Sequence, residues 1–114
     1  MSRVVLVVDD EPLVLEITVA MLENIGCEAV TASNSHEALE RLASDSRIEI
    51  LITDINMPGM DGYELAKTAT QIYERLKVIM LSGREHDGRG FPLIRKPFLQ
   101  EELTRTMAKS SGLC

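Results

Sequence analysis

Three runs in this chain are apolar almost without interruption: Val4–Val8 (VVLVV), Ile48–Thr53 (IEILIT) and Lys77–Leu81 (KVIML). A strand with one solvated face alternates apolar and polar residues, so continuous, β-branched runs of this kind require cover on both faces. The cover is written between them at helical spacing. Pro12 suits the first turn of a helix, where its missing N–H costs nothing. Val14, Ile17, Met21 and Ile25 recur as an expected inward face, and Gly26 ends that helix. Glu28–Ala32 reads as a second strand. Asn34 and Glu37 form a capping-box pattern before Ala38, Leu39 and Leu42. Asp61 and Glu64 cap a further helix carrying Leu65, Ala69 and Ile72. Phe91–Arg95 is a fifth strand, and Gln100–Lys109 a last helix with Glu101 and Glu102 in its first turn and Lys109 in its last. Between strands four and five, GREHDGRG (Gly83–Gly90) has no apolar face and reads as a loop. Strand and helix otherwise alternate, which predicts an α/β fold: a parallel sheet with helices on both faces.

The 114 residues suffice for one domain with a real core, and no linker or repeat divides them. A net charge of −6 opposes binding to a phosphate backbone, so no nucleic-acid partner is expected. No run is long enough to span a bilayer and no signal-like start is present, which predicts a cytoplasmic protein with no membrane partner. Cys27 and Cys114 lack metal-ligand spacing and are read as reduced, although an oxidising compartment would allow the pair to bridge.

In open α/β sheets, sites form beyond the carboxyl ends of the strands. The residues there are Asp9 and Asp10 after strand one, Asp54 after strand three, Ser82 after strand four and Lys96 after strand five. With strand order 2-1-3-4-5, strands one and three are neighbours and three carboxylates meet. Like charges at close range repel by ~4 kcal/mol per pair at an effective dielectric near 20, so something must offset them or the acids must fan out into solvent. Clustered carboxylate oxygens with room for water suit Mg²⁺. With Lys96 opposite and Ser82 offering a hydrogen bond, such a pocket can hold a phosphoryl group, and a carboxylate is a competent acceptor for it. Taken singly, the residues also suit plainer roles. Asp9 and Asp10 would complement a helix N-terminus at up to ~1 kcal/mol each, Asp54 and Ser82 would serve turns, and Lys96 would be solvated. Their convergence favours a site.

DDEP after the first strand, DINMPGMDG from Asp54, LSG after the fourth and KPF after the fifth resemble the receiver domain of bacterial two-component response regulators, over nearly the whole chain. The resemblance implies a flavodoxin-like fold with order 2-1-3-4-5. It makes Asp54 the phosphoacceptor, charged from a phosphohistidine on a histidine kinase or histidine phosphotransfer protein. Asp10 would bind Mg²⁺ directly, Asp9 mainly through water, and Asn56 through its backbone carbonyl. Ser82 and Lys96 would contact the phosphoryl oxygens, with a cis bond before Pro97, and Gly83 would leave the phosphoryl group open to approach. Asn56 and Arg84 would tune hydrolysis, and the partner would dock around Pro12, Leu13 and Val14 and around Pro97-Phe98. The chain departs from the family at two places. The span from Ser82 to Lys96 is short by about two helical turns, so the fourth helix is expected to be shortened or absent. Leu93 stands where the family carries a switching aromatic, so output and dimerisation through that face are expected to differ. Gly83–Gly90 is expected to order on phosphorylation.

The expected protein is a single-domain response regulator, monomeric or weakly dimeric, and not an enzyme beyond its own phosphorylation and dephosphorylation. Met1-Ser2 directly before the first strand favours a complete short protein. Alternatives are a receiver from the C-terminus of a hybrid histidine kinase and, from another class, a non-phosphorylated interaction module. A haloacid-dehalogenase-type phosphatase wants a second acid two residues after Asp54, where Asn56 stands. A flavodoxin-like flavin binder needs a phosphate loop where DDEP would repel one. His36 and His86 have no metal partners at useful spacing and are expected on the surface.

Overall fold

The structure, a computed structural model, describes residues 3–83 and 88–111. Five parallel strands form one sheet, as the alternation predicts, in the order β2-β1-β3-β4-β5 that the resemblance implies. They are β1 (Val4–Val8), β2 (Glu28–Ala32), β3 (Ile48–Asp54), β4 (Lys77–Ser82) and β5 (Leu93–Arg95). The helices among the described residues are α1 (Pro12–Asn24), α2 (Ser35–Ser44), α3 (Gly62–Ile72) and α4 (Gln100–Ser111). Helix α2 opens as expected: the Glu37 amide donates to the Asn34 side chain and the Ser33 amide to Glu37. At α3 the Glu64 amide donates to Asp61. Helix α4 runs to Ser111 rather than Lys109, and the Leu99 amide donates to Glu102, giving that acid a capping role.

Two cores flank the sheet. On one face Leu6, Val8, Leu51 and Met80 meet Ala38 and Leu42 of α2 and Leu65, Ala66 and Ala69 of α3. On the other, Val5, Val7, Ile52 and Leu81 meet Leu22 of α1 and Leu103 and Met107 of α4. Each continuous apolar strand therefore feeds both cores through its alternate side chains.

Helix α1 sits rotated from the expected face. Its buried residues are Thr18 and Leu22, while Ile17 is 46% exposed. Helix α1 is apolar nearly all round, so spacing alone does not choose the inward side. Thr18 is tolerated there because its hydroxyl donates to the Val14 carbonyl of its own helix. Ile72, expected on the α3 core face, is 59% exposed at that helix's end.

The connection from β4 to β5 contains no helix at its described residues, in line with the short fourth crossover; Arg84 and His86 lie outside the described residues. Strand β5 is shorter than Phe91–Arg95 because Pro92 has no N–H for the ladder, although its carbonyl still accepts from the Met80 amide. Only the last three residues of β4 pair with β5, so the chain needs to retreat only about 10 Å before pairing again. The Phe91 amide closes a turn on the Gly88 carbonyl, with Arg89 and Gly90 both at positive φ. Phe91 and Leu93 pack on the α2–α3 core, and the Arg89 guanidinium lies 3.9 Å from the centre of the Tyr63 ring. Cys27 is buried and disulfide-bonded, contrary to the expectation of a reduced thiol; nothing in its sequence neighbourhood marks it as oxidised. Cys114 lies outside the described residues.

Candidate functional site

The carboxyl ends of β1, β3, β4 and β5 converge where the strand order reverses, the crevice in which open α/β sheets carry their sites. One carboxylate oxygen each from Asp9, Asp10 and Asp54 lies within 4.8 Å of the others. Asp9 and Asp54 are buried and Asp10 is exposed. Beside them is an open cavity of about 600 Å³, whose wall includes Asp10, Asp54, Asn56, Gly83 and Lys96.

Lys96 answers part of the repulsion among these acids. Its Nζ lies 3.1 Å from Asp9 Oδ2, 3.3 Å from Asp54 Oδ1 and 3.8 Å from Glu11 Oε1. Burial alone lowers the Lys96 pKa, but the hydrogen bond to Asp9 and the charges of Asp54 and Asp9 outweigh it, so the ammonium is held above the ordinary lysine range. The compensation is incomplete. Burial and the neighbouring Asp9 raise the pKa of Asp54 despite Lys96. Four acids around one lysine leave a local excess of three negative charges.

The donor set therefore fits a hard divalent cation, which favours carboxylate and carbonyl oxygens and retains water. Asp9 spends one oxygen on Lys96 and the other on the Glu11 amide, which fits a ligand acting through water. Asp10 projects into the exposed mouth. The Lys96–Pro97 bond is cis, as expected.

Ser82 is buried at the end of β4. Asp54 pairs with Leu81 across the β3–β4 ladder, so Ser82 stands one residue past the level of Asp54. The Lys96 amide donates to the Ser82 carbonyl at 2.7 Å, tying the two strand ends together. The structure thus brings together Asp9, Asp10, Asp54 and Lys96, with Asn56 on the cavity wall and Ser82 adjacent. His36 is exposed beside Glu40, away from the site.

Four residues take positions that the sequence patterns did not assign to them. Glu11 reaches Lys96. Ile17 lines the cavity, a consequence of the rotation of α1, and Phe98 lines it from the segment after β5. Gly62, the last residue of the DINMPGMDG motif, packs directly on the Asp54 carbonyl, and a Cβ there would overlap that oxygen and the Ile55 α carbon. Gly62 opens a helix and has no positive φ to require it, so the close approach is what excludes a side chain there.

The family model described as the response regulator receiver domain matches residues 5–108. Among curated relatives, the uncharacterized transcriptional regulatory protein YesN of Bacillus subtilis is 37% identical over 69% of this chain and 22% of its own length. The sensor histidine kinase RcsC of Escherichia coli is 38% identical over 68% of this chain and 8% of its own. The chain thus spans well under half the length of these relatives. Among solved structures, the response regulator TrrA of Thermotoga maritima, in complex with Mg²⁺-BeF, is 32% identical with a TM-score of 0.86, covering 96% of this chain and 98% of that one. The chemotaxis protein CheY4 of Vibrio cholerae is 28% identical with a TM-score of 0.88, covering 96% and 99%. With the family model spanning nearly the whole chain and the acids at the strand ends where that family has them, this chain belongs to the response regulator receiver domain family.

Proposed function

We propose that this receiver domain takes a phosphoryl group from a phosphohistidine onto Asp54, with Mg²⁺ bound by Asp10, Asp54 and the Asn56 carbonyl and, through water, by Asp9. The observation that carries the reading is the position of Asp54: at the cavity wall, 3.3 Å from Lys96 Nζ and clustered with Asp9 and Asp10. An Asp54 carboxylate oxygen attacks phosphorus in line, and the new O–P bond forms as the N–P bond breaks. The electron pair leaves with the donor imidazole, which is then protonated. Lys96 and the Ser82 hydroxyl stabilise the charge on the phosphoryl oxygens. Bound Mg²⁺ supplies charge neutralisation, and the Mg²⁺-BeF complex of the related TrrA supports that choice of ion. The domain catalyses no reaction beyond its own phosphorylation and dephosphorylation.

The donor is a histidine kinase or histidine phosphotransfer protein. Its docking surface lies around Pro12, Leu13 and Val14 and around Pro97-Phe98: Leu13 is 65% exposed, and Val14, Pro97 and Phe98 line the cavity beside the acids. Membership in a longer regulator and in a sensor kinase are both represented among the relatives. No helix among the described residues is long and apolar enough to cross a membrane.

The test is intact-mass analysis after incubation with acetyl phosphate or phosphoramidate, with and without Mg²⁺, beside Asp54→Asn. A Mg²⁺-dependent phosphoryl adduct absent from the variant supports the proposal. A folded protein that gains no adduct from these donors or from a phosphorylated histidine phosphotransfer protein is instead a non-phosphorylated interaction module.

A further inference from the structure

Helix α2 lies outside the site, yet it reaches the loop that follows Asp54. Ser35, the first residue of α2, is 3% exposed, and its hydroxyl donates to the backbone carbonyl of Met60 at 2.8 Å. This hydroxyl has no capping duty. Asn34 already accepts from the Glu37 amide, and Glu37 accepts in return from Ser33. The hydroxyl is directed away from its own helix, across 25 residues of sequence, to the segment joining β3 to α3.

That segment carries Asn56. At its start, the Ile55 amide donates to the Leu81 carbonyl; at its end, the Gly62 amide donates back to Ile55. Between them the chain leaves the sheet, turns through Gly59 at a φ of +76°, and returns. Met57 enters the core, but Pro58 and Gly59 are exposed. The Ser35 bond fastens the returning limb just beyond this turn. Removing the hydroxyl leaves the Met60 carbonyl without that donor and loosens the returning limb of the loop that carries Asn56.

We infer that Ser35 is a positioning residue for the metal site: its hydroxyl holds the 55–61 loop so that the Asn56 carbonyl faces the ion. The inference rests on the proposed function, because it concerns the Mg²⁺ on which phosphorylation of Asp54 depends. It makes α2 part of the site's architecture without placing any of its atoms near the ion.

The test compares wild type, Ser35→Ala and Ser35→Thr in three measurements. Calorimetric Mg²⁺ affinity is expected to fall about threefold in Ser35→Ala, the scale on which one hydrogen bond acts. Ser35→Thr, which keeps a hydroxyl, is expected to restore it. In acetyl phosphate reactions the Mg²⁺ concentration for half-maximal rate rises by the same factor, while the rate at saturating Mg²⁺ stays near wild type. In metal-free protein, amide exchange over residues 56–61 accelerates while that of β1 and β3 does not. Ser35→Gly gives the same comparison if the alanine variant does not fold. A variant with a lowered melting temperature but unchanged Mg²⁺ affinity and loop exchange overturns the inference and leaves the proposed function standing. Wild-type protein that neither binds Mg²⁺ nor gains a phosphoryl group overturns both.

Discussion

The α carbon of Gly62 rests against the backbone carbonyl of Asp54, leaving no room for a side chain between the start of α3 and the end of β3. Both obstructing groups are backbone, so neither can swing aside as a flexible side chain would. Gly62→Ala is expected to destabilise the fold by about 1–3 kcal/mol, the range for overpacking a filled interior. Because the displaced atoms belong to Asp54 and Ile55, the rate of phosphorylation falls as well. Urea denaturation and acetyl phosphate kinetics on the same preparation check both parts. Stability and rate equal to wild type would show that α3 moves away at no cost.

Asp54 is held above the usual carboxylate range by burial and by Asp9. The folded state therefore binds this proton more tightly than the unfolded chain does. The stability tied to the neutral carboxyl is complete below the unfolded value near 3.9 and is lost as pH rises through the folded value. At pH 7 the ionised Asp54 is a liability, and Asp54→Asn is expected to raise the melting temperature by roughly a few degrees. The advantage shrinks as pH falls and disappears below about pH 3.9. Thermal melts of both proteins across pH 3–8 test the sign; a variant less stable at pH 7 would contradict it.

Mg²⁺ should remove the same liability. Wild-type protein is expected to melt higher with added Mg²⁺, approaching about 2.7 kcal/mol of extra stability at a hundredfold excess over the dissociation constant. Chelation reverses the gain. Asp10→Asn is expected to lose most of the Mg²⁺ response while keeping its metal-free stability, because Asp10 is exposed. Equal Mg²⁺ shifts in the two proteins would remove Asp10 from the ligand set.

Lys96 is mostly buried and bridges Asp9 and Asp54. Lys96→Met leaves two buried carboxylates without their cation, a class of change that costs on the order of 3 kcal/mol. The loss is greatest near pH 7 and lessens toward acid as the carboxylates are protonated. Phosphorylation of Asp54 is expected to become at least tenfold slower even with Mg²⁺ saturating, as only the lysine's share of the phosphoryl charge is missing. Wild-type rates in this variant would assign Lys96 a purely structural role.

The sequence determined the strands, their pairing as one parallel sheet, and the site acids. Val4–Val8, Ile48–Thr53 and Lys77–Leu81 are apolar almost without interruption, and only a doubly covered sheet can bury them; the acids follow because a strand delivers its last residue to a defined edge. The caps at Asn34 and Asp61 were equally local, as each needs only an acceptor three residues before an amide. Tertiary structure alone decided which side of α1 faces inward, since an apolar circumference leaves the choice to packing against β1 and β2. It also decided that Ser35 reaches Met60 and that Gly62 touches Asp54. Such contacts join separate elements through a hydroxyl direction or a missing Cβ, neither of which has a period that sequence can display.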